Sequence, residues 1–209
     1  MQPVRFGVIG VGGMGGHHAR SFKDLAEGTL VAVADVNAET AQKVAAETGA
    51  KAFVDANDLI DNGDVEAIII ATPHFFHPPV AEYAASKGVH VLTEKPIAVT
   101  VSAADRMIEA AEKGGVLLGV MFQQRTEKVR IKMKAMIDGG ELGAVHRVSM
   151  MAPWYRPQAY YGSGAWRGTW KGEGGGILMN QAPHSLDQFV WLAGGSPQSV
   201  QAIAGTRLH

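Results

Sequence analysis

Cysteine is absent from the 209-residue sequence. Disulfides, thiolate nucleophiles and zinc–sulfur sites are therefore excluded. An excess of either charge is lacking too. Lys plus Arg number 19 and Asp plus Glu number 20, a formal net charge of −1. That balance offers no basic footprint for nucleic acid. No run approaches the roughly 20 apolar residues that a membrane-spanning helix needs. The N-terminus enters strand-like sequence at once and lacks the layered pattern of a signal peptide. These absences predict a cytoplasmic protein with neither a nucleic-acid nor a membrane partner.

Glycine is plentiful, at 26 residues, and gathers in Gly10–Gly16 and Gly172–Gly176. Such clusters mark loops where backbone can approach something closely. Strand candidates are Val4–Ile9, Leu30–Ala34, Ala52–Val54, Ala67–Ala71, Val89–Leu92 and Val116–Met121. Several are unbroken Val/Ile/Leu runs, the pattern of strands covered on both faces. Helical segments fall between them: Ala38–Thr48 behind the cap Asn37, Pro79–Lys87, and Ser102–Lys113. The alternation is the βαβ rhythm of a doubly wound parallel sheet.

After Met121 the rhythm changes. A helix is predicted over Glu127–Ile137, a strand over His146–Ala152, a helix over Gln181–Leu192 and a strand over Ser199–Ala204. Between them, residues 153–176 hold three of the four Trp and three of the four Tyr. This predicts a nucleotide-binding domain over 1–121 and a second domain over 122–209. Thr206–His209 carries no stop signal, which predicts that part of the second domain is missing.

Strand Val4–Ile9 runs straight into Gly10-Val11-Gly12-Gly13-Met14-Gly15, a G-x-G-x-x-G turn. Gly10 permits the tight turn, Gly12 lets a pyrophosphate approach, and Gly15 lets the following helix pack closely. Phosphate oxygens then meet free N–H groups at the helix start, so Gly10, Gly12, Gly13, Met14 and Gly15 are the candidate contacts. A glycine-rich turn with no ligand is the plain alternative. The context favours a ligand. Asp35 ends the second strand, placed to accept from the adenosine ribose hydroxyls and to repel a 2′-phosphate. That predicts NAD in preference to NADP.

Ligands in such sheets sit at the carboxyl ends of the strands. Those ends carry Thr72-Pro73-x-x-x-His77, Glu94-Lys95-Pro96 and Phe122-Gln123-Gln124-Arg125. Lys95 can lower the pKa of a reacting hydroxyl and orient it, or it is a solvated surface lysine. Downstream, Asn180 and His184 are four apart and Asp187 lies three further on, so one helix would present them on similar faces. His184 is then a proton acceptor or a core or cap histidine. The aromatic stretch with Arg156 and Arg167 is core, or a wall for a polyhydroxylated ligand. No histidine spacing suggests a metal site.

Taken together, the G-x-G-x-x-G turn, Ala71-Thr72-Pro73-x-x-x-His77, Gly88-Val89-His90-Val91-Leu92-x-Glu94-Lys95-Pro96 and Gly174-Gly175-Gly176…His184-x-x-Asp187 resemble the glucose–fructose oxidoreductase / inositol dehydrogenase / MocA family. The resemblance covers essentially the whole chain. It implies a Rossmann domain followed by an α/β domain with a mostly antiparallel sheet. It further implies a nicotinamide cofactor and redox chemistry at a secondary carbinol of a sugar, cyclitol or related polyol. By the same resemblance Lys95 orients the hydroxyl and His184 is the general base. Thr72, Pro73, His77, Glu94 and Lys95 would line the nicotinamide and its ribose. Arg125, Tyr161, Trp166, Arg167 and Asn180 would join Lys95 and His184 on the substrate, and the second sheet would form a homodimer or homotetramer interface. Many members carry Asp where this chain has Asn180, whose amide hydrogen-bonds but takes no proton. A non-catalytic NAD sensor, and NAD-assisted glycoside cleavage or epimerisation, are alternative functions for the same fold.

Overall fold

The computed structural model describes residues 2–164 and 166–205, so Thr206–His209 lie outside it. The chain divides into two compact units, Met1–Met121 and Phe122–His209.

In the first unit the strands are β1 (Val4–Ile9), β2 (Gly28–Ala34), β3 (Lys51–Phe53), β4 (Ala67–Ile70), β5 (His90–Thr93) and β6 (Leu118–Val120). They form one sheet in the order β3-β2-β1-β4-β5-β6, and every pairing is parallel. The helices are α1 (Gly13–Ser21), α2 (Ala38–Thr48), α3 (Ala56–Asn62), α4 (His77–Ser86) and α5 (Val101–Gly114).

Side chains alternate across each central strand and feed two separate cores. Ile9, Ala32, Ala34, Ile68 and Ile70 pack with Leu59 of α3, Ala81 and Ala84 of α4 and Met107 of α5. Val8, Val33 and Ile69 face the other way, onto Ala19 of α1 and Val44 and Ala45 of α2. Burial of each large aliphatic side chain contributes about 1.5–3 kcal/mol, and strands covered on both faces collect this twice over. The unbroken apolar runs in the sequence are the direct result.

Local capping sets the helix bounds. Asn37 accepts from the Thr40 N–H at 3.1 Å, as its position predicts. Helix α3, absent from the sequence expectations, starts because Asp55 accepts from the N–H groups of Asn57 and Asp58. Its Asn- and Asp-rich sequence carries little helical signal of its own. Helix α5 begins one residue before the expected start at Ser102, because Thr100 accepts from the Ala103 N–H and caps it.

The second unit holds α6 (Lys128–Asp138), α7 (Gln158–Gly162), α8 (Ile177–Asn180) and α9 (Pro183–Ala193). The strands expected at His146–Ala152 and Ser199–Ala204 do not form among the described residues, and neither does the antiparallel sheet. A strand exists only through its partner, and these two segments do not pair with each other. The single helix expected over Gln181–Leu192 is also divided. Residue 183 is proline, which supplies no N–H and opens a new helix. Asn180 therefore ends α8 while His184 sits in the first turn of α9, and the two do not share one helix face.

Candidate active site

The sheet order reverses direction beside β1, whose neighbours are β2 and β4. The crevice at the carboxyl ends of these strands is where an open parallel sheet takes a ligand. The Gly10 N–H donates to Ala34 O and the Ala71 N–H to Ile9 O, both at 2.8 Å, so the three strand ends are tied together. Gly10 has φ +83, a conformation that side-chain-bearing residues avoid, and a Cβ there would lie 2.9 Å from the Ala71 and Thr72 backbone. At Gly15 a Cβ would lie 1.9 Å from Gly10 O. Helix α1 thus packs against the turn through hydrogen alone.

Gly12 and Gly13 differ from these two. A Cβ at either would meet nothing within 4 Å, so what their small size keeps open is external space. Met14 is 53% exposed beside them, and no side chain caps the start of α1. An open helix N-terminus with bare glycines suits an anionic diphosphate. Asp35 lies at the end of β2, where one carboxylate oxygen accepts from the Asn37 N–H at 2.9 Å. A carboxylate has capacity for further donors. At the end of β4, the buried Thr72 hydroxyl oxygen has no hydrogen-bond partner among the described residues. These features fit a dinucleotide.

Glu94 and Lys95 follow β5. The Glu94 carboxylate contacts His18 Nε2 at 2.7 Å and accepts from the Lys95 N–H at 3.2 Å. Burial raises the Glu94 pKa, but the His18 hydrogen bond and charge, with help from Lys95, outweigh it and hold the carboxyl below its usual value. His18 is a residue that the sequence expectations passed over, and its pairing across 76 positions is visible only in the fold. The bond ties α1, which opens on the phosphate turn, to the Glu94-Lys95-Pro96 loop. For His18→Ala, we expect the Glu94 carboxyl to titrate at higher pH, read by carbon NMR of the side-chain carboxylates. An unmoved Glu94 would refute the pairing.

His77 is fully buried at the start of α4. Its Nδ1 lies 2.9 Å from Pro96 O and its Nε2 2.9 Å from Thr72 O. The ring therefore lies between the two loops that carry Thr72 and Lys95, and in its neutral form it donates to one of these two carbonyls. Desolvation pushes its pKa down, against the opposing pull of the Thr72 and Pro96 carbonyls, Glu94 and Ile97, and the net direction is down. The sign of the pH dependence follows. Above about pH 6.5 the ring is neutral in both states and adds no slope. Below it, the unfolded chain takes the proton first, so stability falls until the folded-state pKa is reached. A thermal melt series should show this acid loss, and His77→Gln should flatten it. Equal slopes in the two proteins would show that His77 is not its source.

In the second unit, Tyr160 is a hub. Its hydroxyl oxygen accepts from Arg167 Nη1 at 2.8 Å, Gln181 Nε2 at 3.1 Å and Asn180 Nδ2 at 3.4 Å. Asn180, 7% exposed, also donates to the buried carboxylate of Glu173, whose second oxygen accepts from the Gly168 N–H. Neither Tyr160 nor Glu173 was singled out as a site residue from the sequence; Tyr161 was, and its ring stands edge-on to Tyr160 at 5.2 Å. Trp166 packs against Arg167. The second glycine cluster approaches protein: a Cβ at Gly172 would strike the Trp166 backbone at 2.5 Å.

His184 is half-buried and meets Phe122 edge-on at 5.9 Å. Arg125, expected on the substrate, forms a two-pronged pair with Asp187 through Nε at 2.9 Å and Nη2 at 2.5 Å. That pair raises the Arg125 pKa. Arg125 thus ties the turn before α6 to α9. Among the described residues no group of three or more His, Asp or Glu is placed to hold a metal ion.

The strand order, the glycine turn and the polar strand ends define a dinucleotide-binding oxidoreductase fold. The family model of the Gfo/Idh/MocA oxidoreductases, described as an NAD-binding Rossmann fold, matches residues 4–122. The model of the Gfo/Idh/MocA C-terminal domain matches residues 131–209. The chain belongs to this family.

Inositol 2-dehydrogenase of Rubrobacter xylanophilus is 38% identical over 145 residues, 68% of this chain and 42% of that protein. Myo-inositol 2-dehydrogenase of Thermotoga maritima is 28% identical over 202 residues, 95% of this chain and 58% of that protein. Among solved structures, the WlbA dehydrogenase of Bordetella pertussis, crystallised with NADH and UDP-GlcNAcA, superposes with a TM-score of 0.87 at 35% identity. That match covers 93% of this chain and 58% of the other. The chain therefore spans about half the length of these relatives.

Proposed function

We propose that the protein is an NAD-dependent dehydrogenase that moves a hydride between NAD(H) and a secondary carbinol of a sugar, cyclitol or related polyol. The observation that carries this is the alignment, at the carboxyl ends of the adjacent strands β1, β4 and β5, of an open phosphate turn, the orphaned Thr72 hydroxyl and the Glu94-Lys95-Pro96 loop. The inositol dehydrogenases and the WlbA complex among its relatives support the substrate class.

The bound nicotinamide supplies the hydride acceptor or donor. Gly12, Gly13 and Met14 receive the diphosphate, Asp35 the adenosine ribose, and Thr72, Pro73 and Glu94 the nicotinamide end. The charge of Asp35 favours NAD over NADP. Lys95 orients the reacting hydroxyl and lowers its pKa, and His184 takes the hydroxyl proton as the hydride leaves the carbinol carbon. Homodimer or homotetramer assembly and a cytoplasmic location go with this reading, the first testable by light scattering and the second by cell fractionation. No described helix is long and apolar enough to cross a membrane.

The test is NADH formation from NAD with a panel of inositols, aldoses and sugar nucleotides. Saturable NADH formation with at least one is expected. NAD binding by calorimetry with no redox chemistry across the panel would overturn the reading in favour of a binding protein.

A further inference from the structure

Of the eight described arginines, five (Arg5, Arg20, Arg106, Arg125 and Arg130) each hold a carboxylate. Arg156 and Arg167 form no ion pair among the described residues and gather on one ring instead. Their guanidinium carbons lie 4.9 and 4.7 Å from the Tyr160 ring centroid. Each also meets a tryptophan, Arg156 at 5.5 Å from Trp154 and Arg167 at 4.7 Å from Trp166.

Two like charges on one side chain repel. Stacking on aromatic faces tolerates this because guanidinium is flat and weakly hydrated. A guanidinium held against aromatic rings still carries N–H donors that can hydrogen-bond. Each group has five N–H donors, and among the described residues Arg167 spends one of them, on Tyr160. Fork-shaped donors held in position by aromatic contacts match the two oxygens of a carboxylate or phosphate. The place of the pair is also informative. The Tyr160 hydroxyl accepts from Gln181 and Asn180, in the segment that leads into His184.

We propose that Arg156 and Arg167 form an anion subsite that takes a carboxylate or phosphate substituent of the sugar substrate, with Trp154 and Trp166 as its apolar walls. This rests on the sugar dehydrogenase reading for the identity of the ligand, and it narrows that substrate class to acidic sugars.

The test titrates the full chain with D-glucuronate, D-glucose 6-phosphate and D-glucose, followed by tryptophan fluorescence. At least one anion should bind about tenfold more tightly than glucose, which is the effect of one charge-assisted contact of about 1.4 kcal/mol. Preference for glucuronate identifies a carboxylate, and preference for the phosphate ester identifies a phosphate. The preference should fall to parity in R156Q/R167Q and partly survive in R156K/R167K, which keeps the charge and loses the fork. Equal binding of all three sugars by the unaltered protein overturns the subsite, as does a preference that survives R156Q/R167Q. NADH formation, measured separately, keeps the two readings apart. Turnover of neutral polyols without anion preference removes the subsite alone. Anion preference with no turnover removes the dehydrogenase reading alone.

Discussion

Gly15→Ala is expected to lose dinucleotide binding and to destabilise the first unit together. A Cβ at this position would lie 1.9 Å from Gly10 O, which no rotamer relieves because both partners are backbone. The start of α1 must move away from the end of β1. Overpacking of this kind costs about 3 kcal/mol or more, and it disturbs the helix N-terminus that would meet the phosphates. Gly12→Ala makes the comparison sharp. There a Cβ meets nothing within 4 Å, so the melting temperature should hold. The added methyl group instead occupies the space where a pyrophosphate approaches, and NAD affinity should fall. Calorimetry with NAD beside thermal melts of both variants checks the pair. If Gly12→Ala bound NAD as tightly as the unaltered protein, the diphosphate would not lie over this turn.

Lys95→Ala should lower kcat by about 10²–10⁴-fold, the range for loss of a group that handles a proton in the transition state. NAD affinity should change far less, because the phosphate turn and Asp35 are untouched. Steady-state kinetics with the best substrate of the panel, beside NAD calorimetry, separates these effects. Turnover at the unaltered rate would remove Lys95 from the mechanism.

How far the sequence carried depends on how local each feature is. The central strands were legible because burial on both faces leaves continuous apolar runs, as at Ala67–Ile70. The glycine turn was legible because each glycine answers a separate steric demand within six residues. Helix α3 was hidden, since one Asp55 cap outweighs the weak helical tendency of its own sequence. The pairing of His18 with Glu94 and the place of His77 between two loops are tertiary facts, and spacing says nothing of them. In the second unit, an i, i+4 rule placed Asn180 and His184 on one helix, but Pro183 divides it. The pairing of Arg125 with Asp187, 62 residues on, is likewise a tertiary fact that spacing does not show.

The strand order has a consequence for synthesis. Once β1, β2 and β3 have emerged, one edge of the sheet is finished, and β4, β5 and β6 then add to the other edge one at a time, in the order in which they leave the ribosome. No strand waits for a later one to be inserted beside it. Domains generally fold as units, N-terminal first, as the chain is made. The sheet of the first unit can therefore be completed while the residues that follow Met121 are still being made.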